Sequence, residues 1–127
     1  MAQKTVLIVE DEFELRRILL QTLDKEGYAT LAANDGKEGL AVALDKKPDL
    51  ILLDIMMPNN GLIMLENLRK DEEYGKNVRV ILLTNLSSDT SEIITAIEKH
   101  EPVFYLVKAN YSPEQVVDKV KEALASS

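Results

Sequence analysis

Asp49-Leu50-Ile51-Leu52-Leu53-Asp54-Ile55-Met56-Met57-Pro58 sets four consecutive apolar residues directly before a carboxylate. The run is too short for a helix and lacks the alternation of a strand with one wet face. It reads as a strand buried on both faces, the condition of a parallel sheet covered by helices. The pattern recurs at Val6–Val9, Val78–Leu83 and Val103–Val107, with a weaker candidate at Tyr28–Ala33.

Helical periodicity fills the gaps. Phe13–Lys25 carries Leu15, Ile18, Leu19, Thr22 and Leu23 on one stripe and stops at Gly27, a C′ glycine. Asp35 and Glu38 have the spacing of a capping box that opens a second helix, which ends before Pro48. Gly61–Lys70 turns Leu62, Leu65 and Leu68 inward, and Ser88–Lys99 does so with Ile93, Ile94 and Ile97. Ser112 as N-cap, Pro113 at N1 and Gln115 at N3 open the last helix, whose stripe is Val116, Val120, Ala123 and Leu124. Strand and helix alternate five times. Right-handed crossovers then give an α/β fold, a doubly wound five-stranded parallel sheet in (βα)5 order.

With 127 residues, the chain has room for one domain, residues 1–127, and no second one. It has no cysteine, which excludes disulfides, thiolate metal sites and a cysteine nucleophile. A formal charge of −7 and scattered basic residues argue against nucleic-acid binding by this chain. The pairs Arg16-Arg17 and Lys46-Lys47 read as solvated helix faces. No apolar run reaches the roughly 18–20 residues that span a bilayer, and no signal peptide precedes the first strand, so no membrane role and a cytoplasmic location are expected.

In doubly wound sheets the site lies beyond the carboxyl ends of the strands. Glu10 and Asp11 end the first strand, Asp54 the third, Thr84 the fourth and Lys108 the fifth. Taken singly, each has an ordinary explanation. Glu10-Asp11 suits a helix N-cap, Asp54 a turn, Thr84 a satisfied strand-end hydroxyl and Lys108 a surface lysine. Their shared edge is what those explanations leave out. Three carboxylates brought together repel one another unless a cation sits among them, and an all-oxygen site with few protein ligands suits Mg²⁺. A carboxylate, a divalent cation, a lysine and a hydroxyl are the parts of phosphoryl transfer to aspartate.

At these residues the chain resembles the receiver domain of two-component response regulators, a flavodoxin-like fold, over nearly its whole length. The matching stretches are Val6-Leu7-Ile8-Val9-Glu10-Asp11-Glu12, Asp49 through Pro58 with Gly61 beyond, Ile81-Leu82-Leu83-Thr84 and Tyr105-Leu106-Val107-Lys108. The resemblance implies that Asp54 accepts a phosphoryl group from a histidine kinase or phosphotransfer protein. It implies that Asp11, Glu10, Asp54 and the Met56 backbone carbonyl hold Mg²⁺, and that Lys108 pairs with the phosphoryl group. Thr84 and Tyr105 would form the switch, acting on a partner protein through the fourth helix, fifth strand and fifth helix. Arg16, Arg17 and Leu15 would either meet the kinase or form an ordinary exposed face.

Departures from the family pattern stand at Ala109, where a proline usually follows the lysine, and at Asn85, where a small residue is common. A cis bond before alanine costs about 2.5–4 kcal/mol, so the lysine loop is expected to run trans and to shift Lys108. His100 reads as a solvated loop histidine. An enzyme with an external substrate is not expected: the chain lacks a Walker loop and a Gly-x-Gly-x-x-Gly, and Glu10-Asp11-Glu12-Phe13 lacks the Asp-x-Asp of a haloacid-dehalogenase-like phosphatase. The remaining alternative is a receiver-like binding module that works without phosphorylation.

Overall fold

The computed structural model describes residues 3–55, 61–85 and 91–125. Five strands, β1 (Thr5–Val9), β2 (Ala29–Ala33), β3 (Leu50–Leu53), β4 (Arg79–Thr84) and β5 (Phe104–Val107), alternate with five helices. The helices are α1 (Phe13–Lys25), α2 (Gly36–Lys46), α3 (Gly61–Arg69), α4 (Ser91–His100) and α5 (Pro113–Ala125). The strands form one parallel sheet in the order β2-β1-β3-β4-β5. This is the doubly wound (βα)5 architecture that the buried apolar runs predict.

The order places the switch of winding direction between β1 and β3. The crevice that such a switch opens lies at the carboxyl ends of these two strands. Alternate strand residues feed two cores. Leu7, Val9, Ile51, Leu53, Val80 and Leu82 pack with Met64, Leu65 and Leu68 of α3 and Ala43 of α2. Val6, Ile8, Leu50, Leu52, Ile81 and Leu83 pack with Leu19 and Leu23 of α1 and with Val116, Val117, Val120 and Ala123 of α5. Both faces of the central strands are therefore dry, which is why their sequences show no period of two.

Local chemistry fixes the ends. Gly27 takes φ +92, and the Tyr28 and Gly27 amides donate to the carbonyls of Leu23 and Asp24, closing α1 as a Schellman motif. Ser112 and Gln115 exchange bonds of 3.1 and 2.8 Å, a reciprocal capping box. At α2 only half of the box forms as expected. Asp35 caps the Glu38 amide at 2.8 Å, but the Glu38 carboxylate bonds Asn34 N–H, one residue further back.

Two expectations need correction, and one alternative falls away. Ile94 is 42% exposed rather than inward, because a helix turns about 100° per residue and Ile94 falls off the stripe. The side chains of Ile93 and Ile97 lie outside those described. The Glu10-Asp11 pair does not cap α1: the N-cap is Glu12, without a side-chain cap bond. His100 is no solvated loop residue. It ends α4, half-buried, and its carbonyl accepts from Arg69 Nε at 2.9 Å. Burial, above all, holds its pKa below the ordinary histidine value.

Leu53 is fully buried between β1 and β4, one residue before Asp54. Leu53→Ala is expected to cost about 2–5 kcal/mol in urea unfolding, as a fully buried leucine removed from a packed core does. A loss below about 1 kcal/mol contradicts this account of the core.

Candidate functional site

β1, β3, β4 and β5 are contiguous in the sheet, so the residues at their carboxyl ends stand side by side. Backbone bonds set their depth. The Glu10 amide donates to Ala33 O at 3.1 Å and the Asp54 amide to Val9 O at 3.1 Å, extending the ladder one residue past each strand. Among the described residues, the buried polar or charged residues are Glu10 (2% exposed), Asp54 (4%) and Thr84 (0%). All three lie on this rim. Buried polar groups are costly and scarce in a small domain, so their concentration at one edge marks a built site.

The carboxylates of Glu10, Asp11 and Asp54 each offer an oxygen within 4.8 Å of the others. Asp11 is exposed at the mouth, whereas Glu10 and Asp54 form the floor. Lys108 reaches across from β5. Its Nζ donates to Asp54 Oδ2 at 2.8 Å and lies 2.8 Å from Glu10 Oε1, an ion pair whose angle leaves that oxygen without an aligned hydrogen bond. Glu12 N–H donates to the other Glu10 oxygen at 3.0 Å.

Burial raises the Glu10 pKa above the ordinary glutamate value, despite the Lys108 ammonium beside it and the bond from Glu12 N–H. For Lys108 the balance is reversed. Burial alone would lower its pKa, but the contacts with Asp54 and Glu10 outweigh burial and hold it above the ordinary lysine value. The ammonium is thus the resident counter-charge of the floor. One cation does not neutralise three carboxylates, and the remaining oxygens, hard and closely spaced, fit a divalent ion such as Mg²⁺.

The Ala109 departure does not displace the lysine. No described peptide bond is cis, Lys108–Asn110 forms a short 3₁₀ turn, and Lys108 still meets Asp54. Tyr105 is half-buried against the core that includes Leu82 and Leu53. Asn85 is exposed after Thr84. Met56, assigned as a backbone ligand, lies outside the described residues. Gly61 opens α3 against the carboxyl end of β3. A Cβ there would lie 2.7 Å from Ile55 Cα and abut the Asp54 carbonyl oxygen, so only glycine permits this approach.

One residue of the site escapes the sequence pattern. Arg16, half-buried in the first turns of α1, donates from Nη1 to the Glu10 carbonyl at 2.8 Å. It is not part of a solvated face. Its neighbour Arg17 is exposed and pairs with Glu14 at 2.9 Å, as such a face requires. The only sequence signal is an arginine six residues past Glu10, and helical periodicity does not say what its guanidinium reaches.

The chain belongs to the response regulator receiver domain family, whose model matches residues 6–121. The phosphate regulon transcriptional regulatory protein PhoB of Pseudomonas aeruginosa is 35% identical over 124 residues, covering 98% of this chain and 53% of that protein. Among solved structures, a chemotaxis protein of Vibrio cholerae superposes with TM-score 0.84 at 27% identity, over 96% of this chain and 99% of its own. The response regulator TrrA of Thermotoga maritima, solved in complex with Mg²⁺ and BeF, has TM-score 0.78 at 32% identity over 95% and 99%. This chain spans about half the length of the first curated relatives it matches.

If Lys108 is the counter-charge of the floor, Lys108→Ala removes the ammonium that faces both Glu10 and Asp54. The expected loss is roughly 3 kcal/mol in metal-free protein at neutral pH, the low end for breaking a buried pair because the ammonium is partly exposed. Saturating Mg²⁺ should then raise the thermal midpoint more in the variant than in the wild type. An equal or smaller gain contradicts the role given to Lys108.

Proposed function

We propose that this receiver domain is a phosphorylation-dependent switch in which Asp54 accepts a phosphoryl group from a histidine kinase or a histidine-containing phosphotransfer protein. The observation that carries this reading is the buried Asp54 carboxylate, held 2.8 Å from Lys108 within a cluster of three acids. A structural aspartate has no use for that company.

In the transfer an Asp54 carboxylate oxygen attacks phosphorus, the P–N bond to the donor imidazole breaks, and its electron pair returns to the ring nitrogen. Asp54 ends as an acyl phosphate. Glu10, Asp11 and Asp54, with the Met56 carbonyl, are the residues assigned to hold Mg²⁺. The ion, when bound, neutralises charge among the carboxylates and the phosphoryl oxygens. Lys108 then moves its charge from the Asp54 carboxylate to a phosphoryl oxygen, a short shift for a flexible ammonium. Burial of the Glu10 and Asp54 carboxylates strengthens each of these interactions.

Signalling follows from the Thr84 hydroxyl turning toward the new phosphoryl group. Tyr105, on β5 and already half-buried against the core that includes Leu82 and Leu53, repacks into the space released. Two packings of β4, β5 and the helices beside them then exchange population, and the α4-β5-α5 surface presents a different face to a partner protein. The domain acts in the cytoplasm, and its chemistry is confined to its own Asp54 rather than to an external substrate.

The test is intact mass after incubation with acetyl phosphate and Mg²⁺. One phosphoryl adduct is expected, absent with chelator and absent in Asp54→Ala. Wild-type protein that stays unmodified under these conditions rejects the phosphoacceptor role and leaves a receiver-shaped module that binds without phosphorylation.

A further inference from the structure

Every polar group of Glu10 is held. Its amide bonds Ala33 O, its carbonyl accepts from Arg16, one carboxylate oxygen accepts from Glu12 N–H and the other faces Lys108. Asp11 is the opposite case. Its carboxylate is exposed and has no hydrogen bond or ion pair among the described residues. Among the described residues, its position therefore depends on the backbone, on the peptide plane that joins it to Glu10. That plane is rigid, and the Glu10 carbonyl lies in it. Whatever orients the carbonyl also orients the Asp11 Cα and the direction in which its side chain leaves.

We infer that Arg16 is a positioning residue for the cation site, holding the Glu10–Asp11 peptide so that the unsupported Asp11 carboxylate points into the cluster. The inference rests on the cation-binding reading above. Arg16 is seated for this task. Its guanidinium carbon lies 5.6 Å from the centroid of the Phe13 ring, and Phe13 is itself 62% exposed and contributes little to the core. The Arg16 amide donates to Glu12 O at 3.0 Å, so the residue that grips the turn is anchored in the first helical bond beyond it. Turn, ring and helix start form one closed loop of contacts around Asp11.

A purely electrostatic role for Arg16 has the opposite sign. A guanidinium beside a cation site repels the ion, so its removal alone would tighten binding. Loss of positioning loosens it. Outer-shell partners of metal ligands are typically worth 10–100-fold in affinity, and a bond to the backbone of a ligand belongs near the lower bound, about 10-fold.

The experiment is a Mn²⁺ titration of the full chain followed by the electron paramagnetic resonance signal of free ion, on wild type, Arg16→Ala and Arg16→Lys. Hydrogen exchange of the Asp11 and Glu12 amides is followed in metal-free samples. Arg16→Ala is expected to bind about 10-fold more weakly, with faster exchange at Asp11 and Glu12 and native protection through β1. Arg16→Lys, which keeps the charge but not the planar reach, is expected to fall between. Affinity in Arg16→Ala equal to or tighter than wild type overturns this inference alone. Wild-type protein that binds no Mn²⁺ overturns the cation-site reading and the inference with it. If Arg16→Ala loses protection throughout β1, Arg16→Lys decides: weakened binding with native β1 protection upholds the inference, and wild-type affinity overturns it.

Discussion

Lys108 stands between Glu10 and Asp54, 2.8 Å from each, and the rest of the site depends on that contact. Two buried carboxylates in one crevice repel each other and resist desolvation. The parallel register of β1 and β3 nevertheless forces them together, since Val9 pairs with Leu53 and each acid follows directly. An ammonium delivered by a third strand makes the arrangement tolerable without neutralising it. What remains is a cluster with surplus negative charge and one mobile positive charge. That surplus of hard, closely spaced oxygens suits a divalent cation.

The fold was legible because both faces of the sheet are covered. Buried strands such as Val6–Val9 and Leu50–Leu53 must be apolar throughout, so they stand out from amphipathic helices, and five such units leave few topologies. The site was legible for the same reason. In a parallel sheet the polar residue that ends an apolar run is carried to one edge, and Glu10, Asp54, Thr84 and Lys108 each end such a run. Their burial, together with the contacts of Lys108, is what the sequence could not supply.

The misreadings have physical sources. Ala109 in place of proline was expected to shift the lysine. Instead a short 3₁₀ turn with trans bonds presents Lys108 to Asp54, so the contact is set by β5 and not by the residue after it. Arg16 looked like its neighbour Arg17 because sequence periodicity records which way a helical residue faces but not what its end reaches. Only three dimensions show that it returns to the Glu10 carbonyl.

The central claim is that Asp54, Lys108 and the acidic cluster together form a phosphoryl-binding site that requires a divalent cation. Fluorine NMR of the protein with beryllium, fluoride and Mg²⁺ tests it most directly, since beryllofluoride occupies the place of a phosphoryl group on a carboxylate without needing a donor. Resolved bound-fluoride signals are predicted in the wild type, lost on chelation and lost in Asp54→Asn. Free fluoride species alone in the folded wild-type protein, or bound signals that persist in Asp54→Asn, would contradict the account.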